Sequence, residues 1–402
     1  MPHCRVGHAD PVAPVDSIVE LLSALVRTPS RAGEDDLAPV LEVISAWFAT
    51  RGLPFERLAA PDGAPLGLHA HVIGGAGPGP HWLLDATLDT AGFGDLATWS
   101  VPTTAASVHD GWLFGRGSAD SKAGVAIFAH LLAHCAARRE QFAGTLSVLF
   151  DLDEHSGGFG GARHFFERPG APRPDGVIIG YPGLDSIVIG GRGFQRARLA
   201  VAGIAAHSGG TSQRGLNAVA RAAELVMALQ ALPLPSTPTP GFPLAPQLTV
   251  TGLHGGSGFS QVPDRCEIAL DIRLTPGFDA TAARALVEHA VQAHDRRHPP
   301  PLATTIDWLP GWPAYRVPDA HPMVQALQHA GRQVLQQALP TEVVGPSNIG
   351  NYLAGLGVPA LCGFGVRCCG IHAADEGLEL STIAPVFETY RRALARLLSA
   401  SC

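Results

Sequence analysis

The sequence predicts an α/β protein in which a mostly parallel sheet is flanked by helices, with a ferredoxin-like α+β domain inserted into it. Two patterns lead to this prediction. In the first half and again near the C-terminus, apolar runs typical of buried strands alternate with segments of helical apolar spacing. Such alternation favours a parallel sheet with helices on both faces. In the middle of the chain the order is instead β-α-β-β-α-β, as in ferredoxin-like domains.

The length and composition indicate a globular protein of enzyme size. The chain has 402 residues, 46% hydrophobic and 16% charged, with a formal net charge of -7. This length suits one large or two medium domains. The sequence has no basic patch and no apolar run long enough to span a membrane. We therefore expect the protein to bind neither nucleic acid nor a membrane. The first ten residues lack the layout of a signal peptide and the seven cysteines are scattered, so we expect a reducing, cytoplasmic location.

The first part of the predicted sheet domain carries polar side chains where its strands end. Apolar spacing predicts helices at 15–26 and 37–50 and buried strands at 81–89, 144–152 and 177–181. Polar residues that fall at or just past the carboxyl ends of these strands are Asp89, Glu154, His155 and Tyr181. Because ligands bind at that edge of open α/β sheets, these four residues are candidate site residues.

The inserted domain is predicted from the change of pattern near residue 192. Its segments are a strand at 194–201, a helix at 216–232, strands at 247–253 and 266–274, a helix at 280–295 and a strand at 302–308. The first pattern then resumes, with a helix at 321–338, a strand at 359–364 and a helix at 383–398. We therefore predict a sheet domain at 1–192 and 309–402, with the insertion at 193–308.

A glycine-rich junction at residues 115–124 (GRGSADSKAG) stands between a short apolar strand and a helix with an apolar face. An aspartate at such a junction, here Asp120, caps the helix, binds a cation, or does both. Lys122 favours a functional role because it is the only lysine in the chain. The junction by itself leaves the helix cap and the cation site open.

Together with four other motifs, this junction resembles the zinc metallopeptidase family that includes carboxypeptidase G, acetylornithine deacetylase, succinyl-diaminopimelate desuccinylase and aminoacylase. The other motifs are DEHSGG (153–158), VAGIAAHSG (201–209), VPDRCEIALDIRLTPG (262–277) and GIHAADEG (370–377). The resemblance spans nearly the whole chain and implies a catalytic domain with an inserted lid domain. It also implies a homodimer formed through that lid, and a small-molecule substrate such as an N-acyl amino acid or small peptide with a free carboxylate.

One of the family's two zinc ions has a complete set of candidate ligands in this sequence. The family holds that zinc with a bridging aspartate, a glutamate beside the general base, and a C-terminal histidine. The resemblance implies that these positions are Asp120, His155 and His372, with histidine in place of the ligand glutamate. The general base of the family is kept as Glu154.

The second zinc of the family lacks its usual ligands. Thr87 stands where the family has a ligand histidine, and Tyr181 where it has an acidic ligand. We therefore expect one divalent metal per chain. Two imidazoles and one carboxylate suit a catalytic zinc with an open position, and they equally suit non-haem iron(II). Zinc is the first expectation, because Glu154 remains beside the metal as a base for hydrolysis.

Three further residues have candidate catalytic roles. Tyr181 is a candidate metal ligand or a phenol donor to a developing oxyanion. In the family the residue matching Asp89 orients the ligand histidine, and with Thr87 in that place a structural role and a functional one are both open. His207 matches the family residue that reaches the partner subunit's active site and contacts the substrate carbonyl; an ordinary surface histidine is the alternative.

Candidate substrate contacts are Asn348, Arg273 and Arg367, although Arg273 also suits a structural ion pair with Asp271. The leading hypothesis is a metal-dependent amidohydrolase or peptidase-like enzyme. A second hypothesis is a non-haem iron enzyme or other specialised biosynthetic enzyme on the same scaffold. A third is a binding protein that has lost its chemistry. Metal content and oxygen dependence separate the three.

Overall fold

The structure is a computed structural model that describes residues 14–211, 215–297 and 303–399. The segment 1–13, on which the signal-peptide argument rests, and residue 302, the predicted start of a strand, lie outside the described residues. By its internal contacts the chain forms two compact units. The first comprises the chain up to Ile189, Pro318–Glu342 and the chain from Val358; the second comprises Gly190–Val317 and Val343–Gly357.

The described residues form the following elements. The α-helices are α1 (Val15–Arg27), α2 (Ala38–Thr50), α3 (Ala123–Ala136), α4 (Gly160–Glu167), α5 (Ala218–Gln230), α6 (Ala280–Asp295), α7 (Pro322–Val334), α8 (Ile349–Gly355) and α9 (Ile383–Leu397). The strands are β1 (Glu56–Ala59), β2 (Pro65–Ile73), β3 (His81–Thr87), β4 (Ser107–His109), β5 (Trp112–Phe114), β6 (Thr145–Asp151), β7 (Gly176–Ile179), β8 (Ile187–Gly191), β9 (Gly193–Ala202), β10 (Ala206–His207), β11 (Gln247–Gly255), β12 (Gln261–Val262), β13 (Arg265–Leu274), β14 (Thr305–Trp308), β15 (Tyr315–Arg316), β16 (Thr341–Val344), β17 (Ala360–Leu361), β18 (Cys368–Cys369) and β19 (Gly377–Glu379). None of these helices has the length and apolar character that crossing a membrane requires.

The first unit is built on a six-stranded sheet with the order β1-β2-β6-β3-β7-β17. Neighbours among β6, β3, β7 and β17 run parallel, whereas β1 and β2 extend one edge in the antiparallel sense. Helices α2, α3 and α4 pack against its strands. The predicted mostly parallel sheet with flanking helices is therefore confirmed. Strand β2 was not predicted, because its proline and glycine obscure the local pattern and its pairing with β6 is a tertiary feature.

The second unit contains a four-stranded antiparallel sheet with the order β11-β13-β9-β14. Taken in chain order with helices α5 and α6, this is the ferredoxin-like arrangement that the sequence predicted. The helices bury Leu225 and Val287 against the sheet residues Leu199, Ile268 and Ile272. Buried apolar side chains from both helices and from strands β9 and β13 thus form one core for this unit.

The second unit extends beyond the predicted insertion of residues 193–308. It also includes residues 309–317 and residues 343–357, the latter carrying α8. In the sequence these segments follow the inserted domain and have no pattern of their own that assigns them to it. Contacts made far along the chain, which local spacing does not reveal, place them in the second unit.

The junction that carries Asp120 is held tightly between β5 and α3. Gly117 has a φ of 78°, and a Cβ at this position would lie 2.4 Å from Thr90 Cγ2, so glycine is required there. The buried Lys122 donates hydrogen bonds to the backbone carbonyls of Leu25, at 2.9 Å, and Thr28, at 3.0 Å. The only lysine of the chain therefore ties this junction to the end of α1.

His130 on α3 is a buried histidine with both ring nitrogens in contact with hydrogen-bonding partners. Nδ1 lies 2.7 Å from the Ala126 carbonyl oxygen and Nε2 lies 2.9 Å from Ser17 Oγ on α1. Burial lowers the pKa of His130 from 6.5 to about 4. The folded protein therefore keeps this imidazole neutral at pH values where an unfolded chain would protonate it.

We expect His130 to make the fold less stable as the pH falls from about 6.5 towards 4. The unfolded chain binds a proton in this window and the folded chain does not, so one such group contributes a slope of about 1 kcal/mol per pH unit. His130→Gln should reduce this slope, as measured by urea unfolding at pH 7.5, 5.5 and 4.5. The control is His109→Gln on exposed β4; equal slopes in all three proteins would contradict the prediction.

Candidate metal centre

Asp120 lies in a buried position where two histidines approach its carboxylate. Its Oδ2 is 3.0 Å from His372 Nε2 and 3.8 Å from His155 Nε2, while its Oδ1 is buried without a hydrogen-bond partner. Burial alone would raise the pKa of Asp120, but the two histidines outweigh it and lower the pKa to about 2. The carboxylate is therefore ionised and has lone pairs available to a cation.

His155 follows β6 and points one ring nitrogen at Asp120. Its Nδ1 lies 3.2 Å from Asp89 Oδ2, and its Nε2 is buried without a hydrogen-bond partner. Although burial disfavours the charged ring, the nearby carboxylates of Asp120 and Asp89 raise the pKa of His155 to about 11. The carboxylates around this ring thus stabilise a positive charge at the place where its Nε2 meets Asp120.

His372 completes the cluster from the loop between β18 and β19. Its backbone has a φ of 58°, and its ring centre lies 5.3 Å from that of His155. Each of Asp120, His155 and His372 offers one ligand atom, and these atoms all lie within 4.8 Å of one another. Within the described parts of the chain, no other group of three histidine, cysteine or acidic side chains meets this criterion.

Asp89, just past the end of β3, organises the turn that carries His155. Its Oδ1 accepts hydrogen bonds from the Thr87 hydroxyl at 2.5 Å and the Glu154 backbone N–H at 3.1 Å. Its Oδ2 accepts the His155 backbone N–H at 3.1 Å and contacts the His155 ring. One buried carboxylate therefore sets both the backbone and the ring orientation of His155.

Glu154 lies next to this cluster and is buried. Its Oε1 accepts a hydrogen bond from the Tyr181 hydroxyl at 2.6 Å, and its Oε2 is 3.5 Å from His155 Nδ1. Burial raises the pKa of Glu154 to about 7. In this structure the Tyr181 phenol donates its hydrogen bond to Glu154.

An ion pair that sequence reasoning missed joins the two loops of the cluster. Arg116 Nη1 lies 2.7 Å from Glu376 Oε2, with side-chain exposures of 2% and 1%. Glu376 Oε1 also accepts the backbone N–H groups of Ala119 and Asp120, each at 3.0 Å. Arg116 and Glu376 each lie inside a motif quoted for the resemblance, and this was the only sign in the sequence that they matter. Neither motif indicates that the two side chains pair, because they are far apart in the chain.

The remaining predicted residues lie elsewhere in their units. In the second unit His207 is exposed on β10, where Gly209 N–H donates to its Nδ1 at 3.0 Å. Arg273 pairs with Asp271 at 2.7 Å, and the buried Asn348 caps α8 through the Gly350 N–H. In the first unit Arg367 lies 3.1 Å from Glu379. The cluster itself thus brings together Asp89, Asp120, Glu154, His155, Tyr181 and His372.

Comparison with known families decides which family the chain belongs to. The model of peptidase family M20/M25/M40 matches residues 83–396. The chain belongs to this family. The match covers most of β3, the Asp120 junction, the Glu154–His155 turn, the whole inserted sheet and the His372 loop, so it confirms the resemblance drawn from the motifs.

Individual relatives of this M20 protein are distant but extend over nearly its whole length. It is 28% identical to an acetylornithine deacetylase from Klebsiella pneumoniae, covering 92% of this chain and 95% of the relative. It is 27% identical to a succinyl-diaminopimelate desuccinylase from Rhodopseudomonas palustris, over 92% and 96% of the two chains. Its fold is similar to that of an M20 metallo-carboxypeptidase from Sulfolobus solfataricus, with a TM-score of 0.78, 16% identity and coverage of 95% and 99%.

The family membership establishes the broad activity. The M20 protein is a hydrolase of the amidohydrolase and metallopeptidase class, with a candidate metal-binding group at Asp120, His155 and His372. This supports the catalytic interpretation of the sequence over that of a binding protein.

We expect Glu376→Gln to destabilise this M20 protein by about 3–5 kcal/mol, because it leaves the buried Arg116 charge without its partner. The measurement is the free energy of unfolding in urea. The double variant Arg116→Met/Glu376→Gln removes both charges and should lose less stability than Glu376→Gln alone. A single variant as stable as the parent would contradict the buried ion pair.

Proposed function

We propose that this M20 protein hydrolyses the amide bond of a small N-acyl amino acid or peptide-like substrate at a site with one metal ion. The observation that carries the proposal is the convergence of Asp120, His155 and His372, whose ligand atoms lie within 4.8 Å of one another. Two of these residues, Asp120 and His155, also present buried polar atoms without hydrogen-bond partners. Such atoms are costly unless a ligand or ion satisfies them.

Zinc is the metal that this donor set suits best. Two imidazoles and a carboxylate give three protein ligands and leave a position open, as in catalytic zinc sites. When bound, zinc supplies Lewis acidity that polarises an amide carbonyl and lowers the pKa of water. The residues that hold it are Asp120, His155 and His372, and Asp89 orients His155 by contacting the opposite ring nitrogen.

The contacts of Thr87 and Tyr181 support a single metal site. The Thr87 hydroxyl donates to Asp89, and the Tyr181 hydroxyl donates to Glu154. These two residues stand where the resemblance implies ligands of the second zinc. A hydroxyl and a phenol that are bonded to neighbouring carboxylates are poor substitutes for an imidazole and a carboxylate.

Glu154 is proposed as the general base and then the general acid. Tyr181 holds its Oε1, which leaves Oε2 on the side of His155 to take a proton from water and return it to the leaving nitrogen. A buried carboxyl with a raised pKa is suited to both steps near neutral pH. Tyr181 thus positions the base, in contrast to the metal-ligand role that the sequence left open.

The substrate class follows from the relatives. Acetylornithine deacetylase and succinyl-diaminopimelate desuccinylase are named for N-acylated amino acids. We propose Arg273, Arg367 and Asn348 as contacts for the substrate carboxylate, and His207 as the contact for its carbonyl. The role of His207 rests on the resemblance, and the other three roles are the expectations drawn from the sequence.

We also propose that the protein forms a homodimer through its second unit. Strand β11 is at the edge of the four-stranded sheet, with one side of its backbone unpaired within that sheet. The same unit exposes large apolar side chains, including Met227, Leu253 and Phe259. Edge strands and apolar surface of this kind favour pairing with another chain.

One observation favours a second candidate function, that of a non-haem iron(II) enzyme. Asp120, His155 and His372 are two histidines and one carboxylate, the ligand set of such iron enzymes. This alternative predicts bound iron and oxygen consumption, whereas the hydrolase predicts neither.

The test of the hydrolase is the variant Glu154→Gln. Wild type should hydrolyse members of a panel of N-acetyl and N-succinyl amino acids and dipeptides, with a zinc ion that is lost in His372→Ala. Glu154→Gln should keep that zinc and lose turnover by about 10²–10⁴-fold, because the proton acceptor is gone. Glu140→Gln, at a carboxylate that is 71% exposed, is the control and should leave turnover unchanged.

The outcomes separate the candidate functions. Full turnover in Glu154→Gln would remove Glu154 from the mechanism. Absence of hydrolysis across the panel, together with bound iron and oxygen uptake, would replace the hydrolase with the iron enzyme. A zinc content that does not change in His372→Ala would contradict the proposed metal site.

Asp89→Asn tests the positioning of His155. The amide keeps the size of Asp89 and one acceptor oxygen but removes its charge, so we expect zinc affinity to fall by about 10–100-fold. Isothermal titration with zinc measures this, and Asp62→Asn on an exposed turn is the matched control. Equal affinity in Asp89→Asn and the parent would show that His155 is oriented without Asp89.

A further inference from the structure

A groove on the central sheet of the first unit lies at the opposite end of the strands from the candidate metal centre. The groove encloses a cavity of about 560 Å³. The seven residues of β3 separate His81, which lines the groove, from Thr87 beside the centre, roughly 20 Å at the usual rise of a strand. The groove is therefore outside the proposed catalytic machinery.

Three imidazoles line this groove: those of His69, His71 and His81. His69 and His71 are two residues apart on β2, so their side chains project from the same face of the sheet. Their ring centres are 5.5 Å apart. His81 Nε2 lies 2.6 Å from Ser147 Oγ, so that nitrogen of the third ring already has a partner.

His69 has a buried ring nitrogen without a hydrogen-bond partner. Its side chain is 10% exposed, and the buried nitrogen is Nε2. Its other nitrogen, Nδ1, faces Glu56 Oε2 at 3.8 Å. This separation is too long for a hydrogen bond, and Glu56 also pairs with Arg168 at 2.7 Å. The unpartnered Nε2 is therefore the atom of this ring that a metal ion would satisfy, since an unsatisfied buried nitrogen is costly.

The spacing of the two rings suits a shared metal ion. An ion about 2.1 Å from each of two imidazole nitrogens, at a roughly tetrahedral angle, sets the ring centres roughly 5 Å apart. His69 and His71 already stand close to this separation, with their planes at 21°. His71 is exposed, so its ring can turn to direct a nitrogen at the same point as His69 Nε2.

We propose that His69 and His71 bind a divalent transition-metal ion of the class that prefers imidazole nitrogen, such as Ni²⁺, Cu²⁺ or Zn²⁺, at a site separate from the candidate metal centre. Water and groups of the cavity complete its coordination. The groove is also lined by Phe55, Pro54 and Pro172, and by Arg168, whose charge is paired with Glu56.

The test is titration of the tag-free, metal-depleted protein with Ni²⁺ by isothermal calorimetry. Wild type should bind two Ni²⁺ ions per chain, His71→Ala one and His155→Ala one, since each variant removes a ligand of a different site. His71→Ala should lower the affinity of the groove by more than tenfold and leave hydrolysis unchanged. His69→Gln, which keeps the bulk of the buried side chain, is the second variant and should lose the same binding event.

The control is His109→Ala, which removes an exposed histidine outside the groove and should bind Ni²⁺ as the parent does. The proposal is overturned if His71→Ala and His69→Gln both bind as many Ni²⁺ ions as wild type, with the same affinities. A failure of the proposed metal centre would give a different result from a failure of the groove site. In that case His155→Ala would bind as much Ni²⁺ as the wild type, while His71→Ala and His69→Gln would still each lose one bound ion.

Discussion

The buried Asp120 carboxylate is the constraint on which the candidate centre depends. A charge at that depth persists only with compensating partners, and here His155 and His372 supply them from two different loops. The junction that bears Asp120 is held from behind by Glu376, which accepts two of its backbone N–H groups. The site is therefore a product of three segments, each of which would lose its orientation without the others.

A second carboxylate, Asp89, holds the turn that carries His155 by accepting the backbone N–H groups of Glu154 and His155. The resemblance assigns this residue to a histidine two positions earlier, where this chain has Thr87. In the structure Asp89 instead contacts the ring and backbone of His155. Asp89 thus contacts an imidazole at a neighbouring strand end, and under the proposed function this contact orients His155 as a metal ligand.

Tyr181 contacts the site through its hydroxyl, which donates a hydrogen bond to Glu154. Under the proposed function, this bond orients the carboxylate that acts as the general base. Three carboxylates, those of Asp89, Asp120 and Glu154, surround His155. Their negative charge raises the pKa of its ring. A divalent cation is the ligand that such a field favours.

The sequence by itself determined the α/β class, the inserted ferredoxin-like order, the family and the residues Asp120, His155 and His372, because apolar periodicity and motif residues are local properties. Only the tertiary structure decided that Asp89 contacts His155, that Tyr181 bonds Glu154, and that Arg116 pairs with Glu376. Strand β2 and the assignment of α8 to the second unit also depend on distant segments. Each of these is a contact between residues far apart in the chain, and no local pattern encodes which partner a buried polar group will meet.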